Sequence, residues 1–400
     1  MSTLKVGAIR GVSASSDAIT VANDGTCTAN ITSNGGGPLG NRNLCINGAD
    51  MMVAQRGTST TGLQNTGGVY TIDRFSHRRF GTWSNAQFKH EQVDSGTGLF
   101  KKALKVTCTT AEGSAATGDE AVMIGHYLEA QDTIAAFGDG TAEAKSFTIS
   151  FYVKASIATT YVIQMSTQHL TTEKAYFKTF VVNSANTWER KTCTFPAITN
   201  SISTVDSTGT AQGIRFHWIL DAATGSDAVD TFVNYTTNFK YPSGVSGSGF
   251  ANTLNATFEL GGVQIEAGTV ATDLEHKTFA QELALCQRYY YEHANGNNAQ
   301  SNNRAAICSG AMYNSSSFFG VIQFPFKMRT RPTLVKTSGT DYYRVYGGNV
   351  SDGCNDVATQ NWSDQAFVIN LYDGLSGTQG NGAWAETNNA SALIAFSAEL

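Results

Sequence analysis

Phe147-Thr148-Ile149-Ser150-Phe151-Tyr152-Val153-Lys154 is the stretch that decides the fold class. In an extended chain successive side chains point to opposite faces, so Phe147, Ile149, Phe151 and Val153 share one side while the polar residues and Tyr152 share the other. The same period of two returns in Leu104, Val106 and Cys108, and again in Ile214, Phe216, Trp218 and Leu220. Phe258 and Leu260 carry it as far as Gly261-Gly262, after which Val263 and Ile265 hold the apolar phase. A one-residue slip at a glycine pair is the trace of a β-bulge. Many half-buried strands separated by Gly, Asn and Ser loops predict a β-sandwich of jelly-roll type over residues 41–277.

Composition agrees with an all-β chain. There are 40 Gly but only 5 Pro, and charged residues make up 15% of the 400 positions, against about 25% in an average globular protein. Uncharged polar faces of that kind suit contact with glycans or with packed neighbouring subunits. The net charge of -5 supplies no basic footprint for nucleic acid. No run of about 18 apolar residues exists to span a membrane. The start, Met1-Ser2-Thr3-Leu4-Lys5, lacks the apolar core of a secretory signal. The 7 cysteines form no CxxC pair and read as small buried apolar residues made in a reducing cytosol.

Outside the sandwich, residues 1–40 read as an extended arm. Ile19 and Val21 alternate with polar residues, Asn23-Asp24-Gly25 turns the chain, and Cys27, Ala29 and Ile31 alternate again. A hairpin so small buries no core alone and needs partners. Asn34-Gly35-Gly36-Gly37-Pro38 marks its boundary. Thr278 and Gln281 form a capping-box pattern, Phe279, Leu283, Cys286 and Tyr290 fall on one helical stripe, and Gly296 follows. That spacing predicts one connecting helix of about four turns over 278–296. Strands resume to the C-terminus, and Ala392 to Leu400 alternate, which predicts a second β-sandwich over 297–400.

Catalytic signatures are missing: no HExxH, GxSxG, Walker or GxGxxG motif occurs. Glu275-His276 is the most tempting pair, but neighbours on a strand face opposite ways, so an anchor between sandwich and helix is the plainer reading. Glu266 invites the same caution: glycoside hydrolysis needs two carboxylates across a cleft, and a β-protein with 32 acidic residues offers chance pairs. The expectation is a non-enzyme with no cofactor. Asp221, Asp227 and Asp230 in one loop, and Asp352 with Asp356 in another, could hold a structural Ca²⁺, although EF-hand spacing is absent and turn aspartates are common. Histidines and cysteines are too scattered for zinc.

Aromatic residues in loops are the better ligand candidates, because sugars lay apolar C–H faces on rings while Asn, Asp or Gln fix the hydroxyls. The candidates are Tyr342, Tyr343, Tyr346, Trp362 with Asp364, Tyr372 with Asp373, and Trp384. The competing reading places these rings in the domain core or a subunit seam.

Three stretches carry a family resemblance. They are Asn43-Leu44-Cys45-Ile46-Asn47-Gly48 through Val53-Ala54-Gln55-Arg56-Gly57-Thr58 to Tyr70-Thr71-Ile72-Asp73-Arg74; then Gly262-Val263-Gln264-Ile265-Glu266-Ala267-Gly268 with Ala271-Thr272, Glu275-His276 and Glu282 to Tyr290; and Phe324-Pro325-Phe326-Lys327-Met328-Arg329 with Arg331-Pro332-Thr333. Together they resemble tail-fibre and virion structural proteins of tailed bacteriophages, whose central domain resembles carbohydrate-binding modules of the jelly-roll class. The resemblance implies a virion location, a homotrimer and contact with a host surface; on that expectation the arm at 1–40 docks to other virion proteins (tail, adaptor or neck) and the domain at 297–400 is the tip that meets a host-surface glycan. It supplies no catalytic residue. An architectural neck or capsid decoration without a receptor, or a polysaccharide depolymerase, is the alternative; the short repeats of a depolymerase β-helix are absent.

Overall fold

The computed structural model describes residues 8–9, 19–21, 27–29, 43–64, 68–201, 211–235, 239–299, 302–348 and 350–400. The alternating stretch becomes the strand Phe147–Ala155, hydrogen-bonded between Glu189–Phe195 and Thr257–Ala267. Lys102–Thr110, Gln87–Asp94 and Ser59–Leu63 complete this six-stranded antiparallel sheet. A seven-stranded antiparallel sheet faces it, in the order Phe232–Asn234, Lys174–Val181, Thr160–Thr167, Gln212–Ala222, Ala121–Glu129, Phe75–Phe80, Val69–Ile72. The chain crosses repeatedly between the sheets, as a jelly roll does. Phe147, Ile149, Phe151 and Val153 from one sheet meet Ile163, Phe216 and Trp218 from the other in a single dry cluster. Each such side chain contributes roughly 1.5–3 kcal/mol on burial.

The glycine pair is a bulge. Ser150 lies opposite Gln264 and Tyr152 opposite Gly261, so two residues oppose one. Gly262 has φ +55°, and a Cβ there would stand 2.7 Å from the Tyr152 ring, which explains the glycine. The outer face of the seven-stranded sheet is partly covered by the chain itself, with Met123, Val162 and Ile219 packed under Phe239 and Tyr241.

Among the described residues two α-helices are present rather than the one expected. The helix α1 (Ala130–Phe137) continues from the strand Ala121–Glu129 and ends at Gly138, whose φ of 70° lets its N–H reach the Ile134 carbonyl. Its two turns are too short to show a helical period beside the strand patterns around them. The second helix, α2 (Phe279–Gln287), starts at the expected capping box, with Thr278 and Gln281 each bonding the other's backbone N–H. It ends well before 296, because Tyr290–Asn295 leaves as a strand paired with Leu393–Ser397. The buried face also differs: Glu282 and Cys286 point inward while Phe279 is 50% exposed. Gly296 is required by close approach, since a Cβ would strike the Asn389 carbonyl.

Beyond α2, seven antiparallel strands run in the order Val350–Cys354, Tyr343–Gly347, Gly382–Thr387, Ala306–Asn314, Ser317–Gln323, Ala366–Tyr372, Asp356–Trp362. The two edge strands are consecutive in the chain, so the sheet must curl, and the Asn355 N–H reaches the Asp373 carbonyl at 2.8 Å. A three-stranded sheet of Tyr290–Asn295, Leu393–Ser397 and Thr333–Lys336 packs against its inside. Ile394 and Phe396 meet Phe318, Phe367 and Ile369 there. In the arm, Ile19–Val21 pairs with Cys27–Ala29 and with Ala8–Ile9. Asn23-Asp24-Gly25, Ile31 and Asn34 to Pro38 lie outside the described residues. Cys45, Cys108, Cys193, Cys286 and Cys354 are buried free thiols, and Cys308 is partly buried and free.

His77, His90, His126 and His217 are buried in the sandwich, with His77 Nδ1 3.0 Å from His90 Nε2. Burial disfavours their charged form and holds all four below the ordinary value, His77 and His126 down to about 3. Each stays neutral when folded but takes a proton in the unfolded chain below about pH 6.5. Stability present above that pH is therefore lost on acidification, by up to ~1.4 kcal/mol per pH unit per histidine. The thermal midpoint should fall steadily from pH 7 to pH 5, and the double variant His77→Leu/His90→Leu should flatten that slope. A midpoint constant over this range in the parent protein would contradict the assignment.

Candidate functional site

The C-terminal sheet turns one exposed aromatic pair outward. Tyr346 and Trp384 stand directly opposite each other on neighbouring strands, ring centroids 4.7 Å apart, with exposures of 42% and 44%. Their strand neighbours Val345 and Ala385 point into the core, so the period of two obliges these rings to face solvent. The Arg344 guanidinium lies 4.9 Å from the Tyr346 ring, bonds Ser351 Oγ at 2.7 Å and approaches Glu386 at 3.9 Å. On the same sheet Tyr313 stacks on Phe319 at 4.6 Å and is 59% exposed. An exposed ring pair with a guanidinium, a hydroxyl and a carboxylate beside it can hold an apolar sugar face and its hydroxyls.

The remaining expected contacts do not join this patch. Tyr343 is core: it is fully buried and its hydroxyl donates to the Thr337 and Leu393 carbonyls at 2.6 and 2.9 Å. Burial pushes its phenol up to about 12. Tyr342 is half-buried and packs on the C-terminal core. Tyr372 donates to Asp356 at 2.7 Å, and Asp373 accepts from the Asn355 amide at 3.1 Å. Trp362 sits at the far edge strand under Arg331, 5.1 Å away, and Asp364 pairs with Lys327 at 3.2 Å. Tyr346 and Trp384 are themselves strand residues, not loop residues. Tyr313 and Phe319 were missed; two rings flanking the turn of a short hairpin were the signal.

Most of the carboxylates weighed for chemistry or metal are engaged by protein donors. Glu266 is buried and accepts from Thr272 N at 2.9 Å and Thr272 Oγ1 at 2.7 Å. Glu275 accepts from Asn43 N at 2.8 Å, and His276 Nδ1 meets Asp50 instead, at 2.7 Å. Asp221 is a buried strand residue rather than a loop residue, and caps Ala251 N at 2.9 Å. Asp230 pairs with Lys178 at 2.6 Å, and Asp352 accepts from Ser376 N at 2.8 Å. Asp356 is bonded by Lys336, Ser338 and Tyr372; these bonds outweigh burial and hold its carboxyl below the usual range. Among the described residues no group of three or more His, Cys, Asp or Glu could hold a metal ion.

The stretches quoted for the family resemblance converge instead on a buried junction between the sandwich and the C-terminal half. Asn43 Oδ1 accepts from Cys45 N and Ile265 N, and Asn47 N donates to Glu282 of α2 at 2.7 Å. Arg74 is fully buried. It donates to the Tyr127 carbonyl at 2.6 Å, stacks 3.5 Å from the Tyr289 ring centroid and pairs with Glu399. Burial opposes its charge, but Glu399 and the other neighbouring acids hold its pKa above the ordinary value. Arg56 also takes Glu399, at 2.9 Å. From the other side Arg288 grips the buried Glu129 with two bonds of 2.7 and 2.8 Å, and Tyr289 donates to the same carboxylate at 2.5 Å.

Beside this junction a cleft of about 960 Å³ opens between the two halves. Arg56 lies 3.6 Å from the Tyr290 ring and 5.0 Å from Tyr70 along it, Arg78 lines the sandwich side, and Glu292 with Asn295, Asn297 and Asn298 lines the other. Sequence reasoning passed over Arg78, whose signal was a pair of adjacent arginines inside a strand of an otherwise charge-poor chain.

No family model matches this sequence, and no curated protein matches it. Among solved structures, the chain aligns with a family 11 carbohydrate-binding module from Clostridium thermocellum at 15% identity, over 55% of this chain and 99% of that one, with a TM-score of 0.26. A putative sugar binding protein from Bacteroides thetaiotaomicron aligns at 10% identity over 56% of this chain and 100% of that one, TM-score 0.28. The enzymatically active domain of tailspike protein 4 of bacteriophage CBA120 aligns at 9% identity over 52% of this chain and 21% of that one, TM-score 0.28.

The junction makes a sharp expectation. Glu399→Gln leaves Arg74 buried without its counter-charge and should cost about 3–5 kcal/mol of unfolding free energy. A loss below about 1 kcal/mol in urea denaturation would show that the pair carries little weight.

Proposed function

We propose that this chain is a non-enzymatic structural subunit of a phage appendage, a tail fibre or a related fibre. It acts as a homotrimer, docks to the virion through residues 1–40 and binds a host-surface glycan with its C-terminal half. The single observation that carries glycan binding is the solvent-facing pair Tyr346 and Trp384 with Arg344 and Glu386 beside it. Rings held open on a rigid sheet present an apolar platform at little cost in conformational entropy. The virion role rests on the three sequence stretches described above and on the short strands Ala8–Ile9 and Ile19–Val21, whose side chains are mostly exposed in the single chain. Trimeric display would multiply weak single-site contacts by avidity.

Two experiments test this. Adsorption of the full chain to host cells and to their purified surface glycan should fall at least tenfold in Trp384→Ala, about 1.4 kcal/mol, with an unchanged thermal midpoint. Undiminished adsorption removes the Tyr346–Trp384 face as the binding site, and new reducing ends in the glycan would replace the binding role with hydrolysis. Deleting residues 1–40 should leave a folded protein that no longer joins virions; incorporation of the truncated chain would refute the docking role.

A further inference from the structure

The cleft between sandwich and C-terminal half holds an unmatched cation. Arg56 and Arg74 share Glu399, Arg288 holds Glu129, and Arg215 pairs with Glu173 at 3.2 Å. Arg78 is as sheltered as several of these, yet among the described residues it has no carboxylate partner. Its Nε is buried without a hydrogen-bond partner, and its guanidinium stands 5.0 Å from the Tyr127 ring centroid. The ring offsets part of the hydration a half-buried guanidinium loses, but it supplies neither a counter-charge nor a hydrogen-bond acceptor for the fork of N–H groups. That planar fork of donors matches a carboxylate.

The facing wall has a different chemistry. The Glu292 carboxylate accepts from Asn295 Nδ2 at 3.0 Å and Asn298 Nδ2 at 3.1 Å, which fixes it as an acceptor for hydroxyl groups. A bare anion such as sulfate could answer Arg78 but would bring no hydroxyl to Glu292. A neutral sugar would offer Arg78 hydroxyl acceptors but no counter-charge. A ligand with one carboxylate and several hydroxyls satisfies both walls, and the cleft volume of about 960 Å³ admits more than one pyranose ring at the usual scale of binding sites.

We infer that this cleft binds a hexuronate residue of an acidic oligosaccharide, its carboxylate on Arg78 and its hydroxyls on Glu292 and the neighbouring asparagines. The site is separate from the Tyr346–Trp384 face, and its ligand class follows from its own walls.

Calorimetric titration of the full chain with trimers of galacturonate, glucuronate and mannuronate tests it, each beside the same trimer with its carboxyl groups reduced to alcohols. At least one acidic trimer should bind at least tenfold more tightly than its reduced form, with an advantage that shrinks as salt is raised. Arg78→Met keeps the apolar stem and should abolish the advantage, Arg78→Lys should restore part of it, and Trp384→Ala should leave it intact. Asn297→Asp places a new negative charge at the exposed mouth and should weaken the acidic trimer alone, which keeps the test open if Arg78→Met fails to fold. Equal affinity for acidic and reduced forms, no binding by any acidic trimer, or an Arg78→Met protein that binds like the parent would each overturn the inference.

Discussion

A guanidinium sealed from water is tolerable only where acceptors and a counter-charge are brought to it, and Arg74 imposes that condition on the whole molecule. Its partners come from distant parts of the chain: the Tyr127 carbonyl from the next strand of its own sheet, Tyr289 from the end of α2, and Glu399 from 325 residues further along. The C-terminal strand must therefore be in place before Arg74 is satisfied. Glu129 sets the mirror-image condition, a buried carboxylate on the sandwich that takes its counter-charge from Arg288 and a further bond from Tyr289, beside the local donor Gln131. Two halves that share such debts behave as one body, whereas polar contacts of modest area between domains usually permit relative motion.

Much of the architecture was legible because a strand announces itself by a period of two and a bulge by a slipped phase. Phe147 to Val153, Gly261-Gly262 and the capping box at Thr278 are local signals, and local physics decides them. The misreadings share one cause, which is long-range context. Tyr290 continues the helical stripe of α2, yet pairing with Ser397 draws it into a sheet, and no pattern within ten residues records that. Phe279 looks like a core residue, but the junction takes its buried face from Glu282 and Cys286, since Asn47 needs the Glu282 carboxylate.

The candidate site shows the same division. Tyr342, Tyr343 and Tyr346 look equivalent as tyrosines near a turn, but strand parity separates them. Tyr343 and Val345 face inward, so Tyr346 faces out. Parity was available from the sequence; which parity was buried was not, because it depends on the curl that brings Asn355 to Asp373. Arg78 was harder still. Its lack of a carboxylate partner among the described residues belongs to the folded chain, and no local pattern records it.

The charge economy of the chain ties these points together. Only 15% of its residues are charged, yet Arg74, Asp73, Glu129 and Glu282 are buried at one junction. Apolar residues there would in general give equal or greater stability. What ions and hydrogen bonds add is direction: Arg288 and Glu129 meet through two parallel bonds, and Arg74 meets Glu399 while stacked on Tyr289, so a small rotation of one half breaks several of them together. An apolar seam could slide by a few ångströms at little cost. The cleft beside the junction has walls from both halves, Arg78 from the sandwich and Glu292 from the C-terminal sheet. A ligand that needs both walls can be bound without an ordering penalty only if their separation is already set, and the buried ionic junction is what sets it.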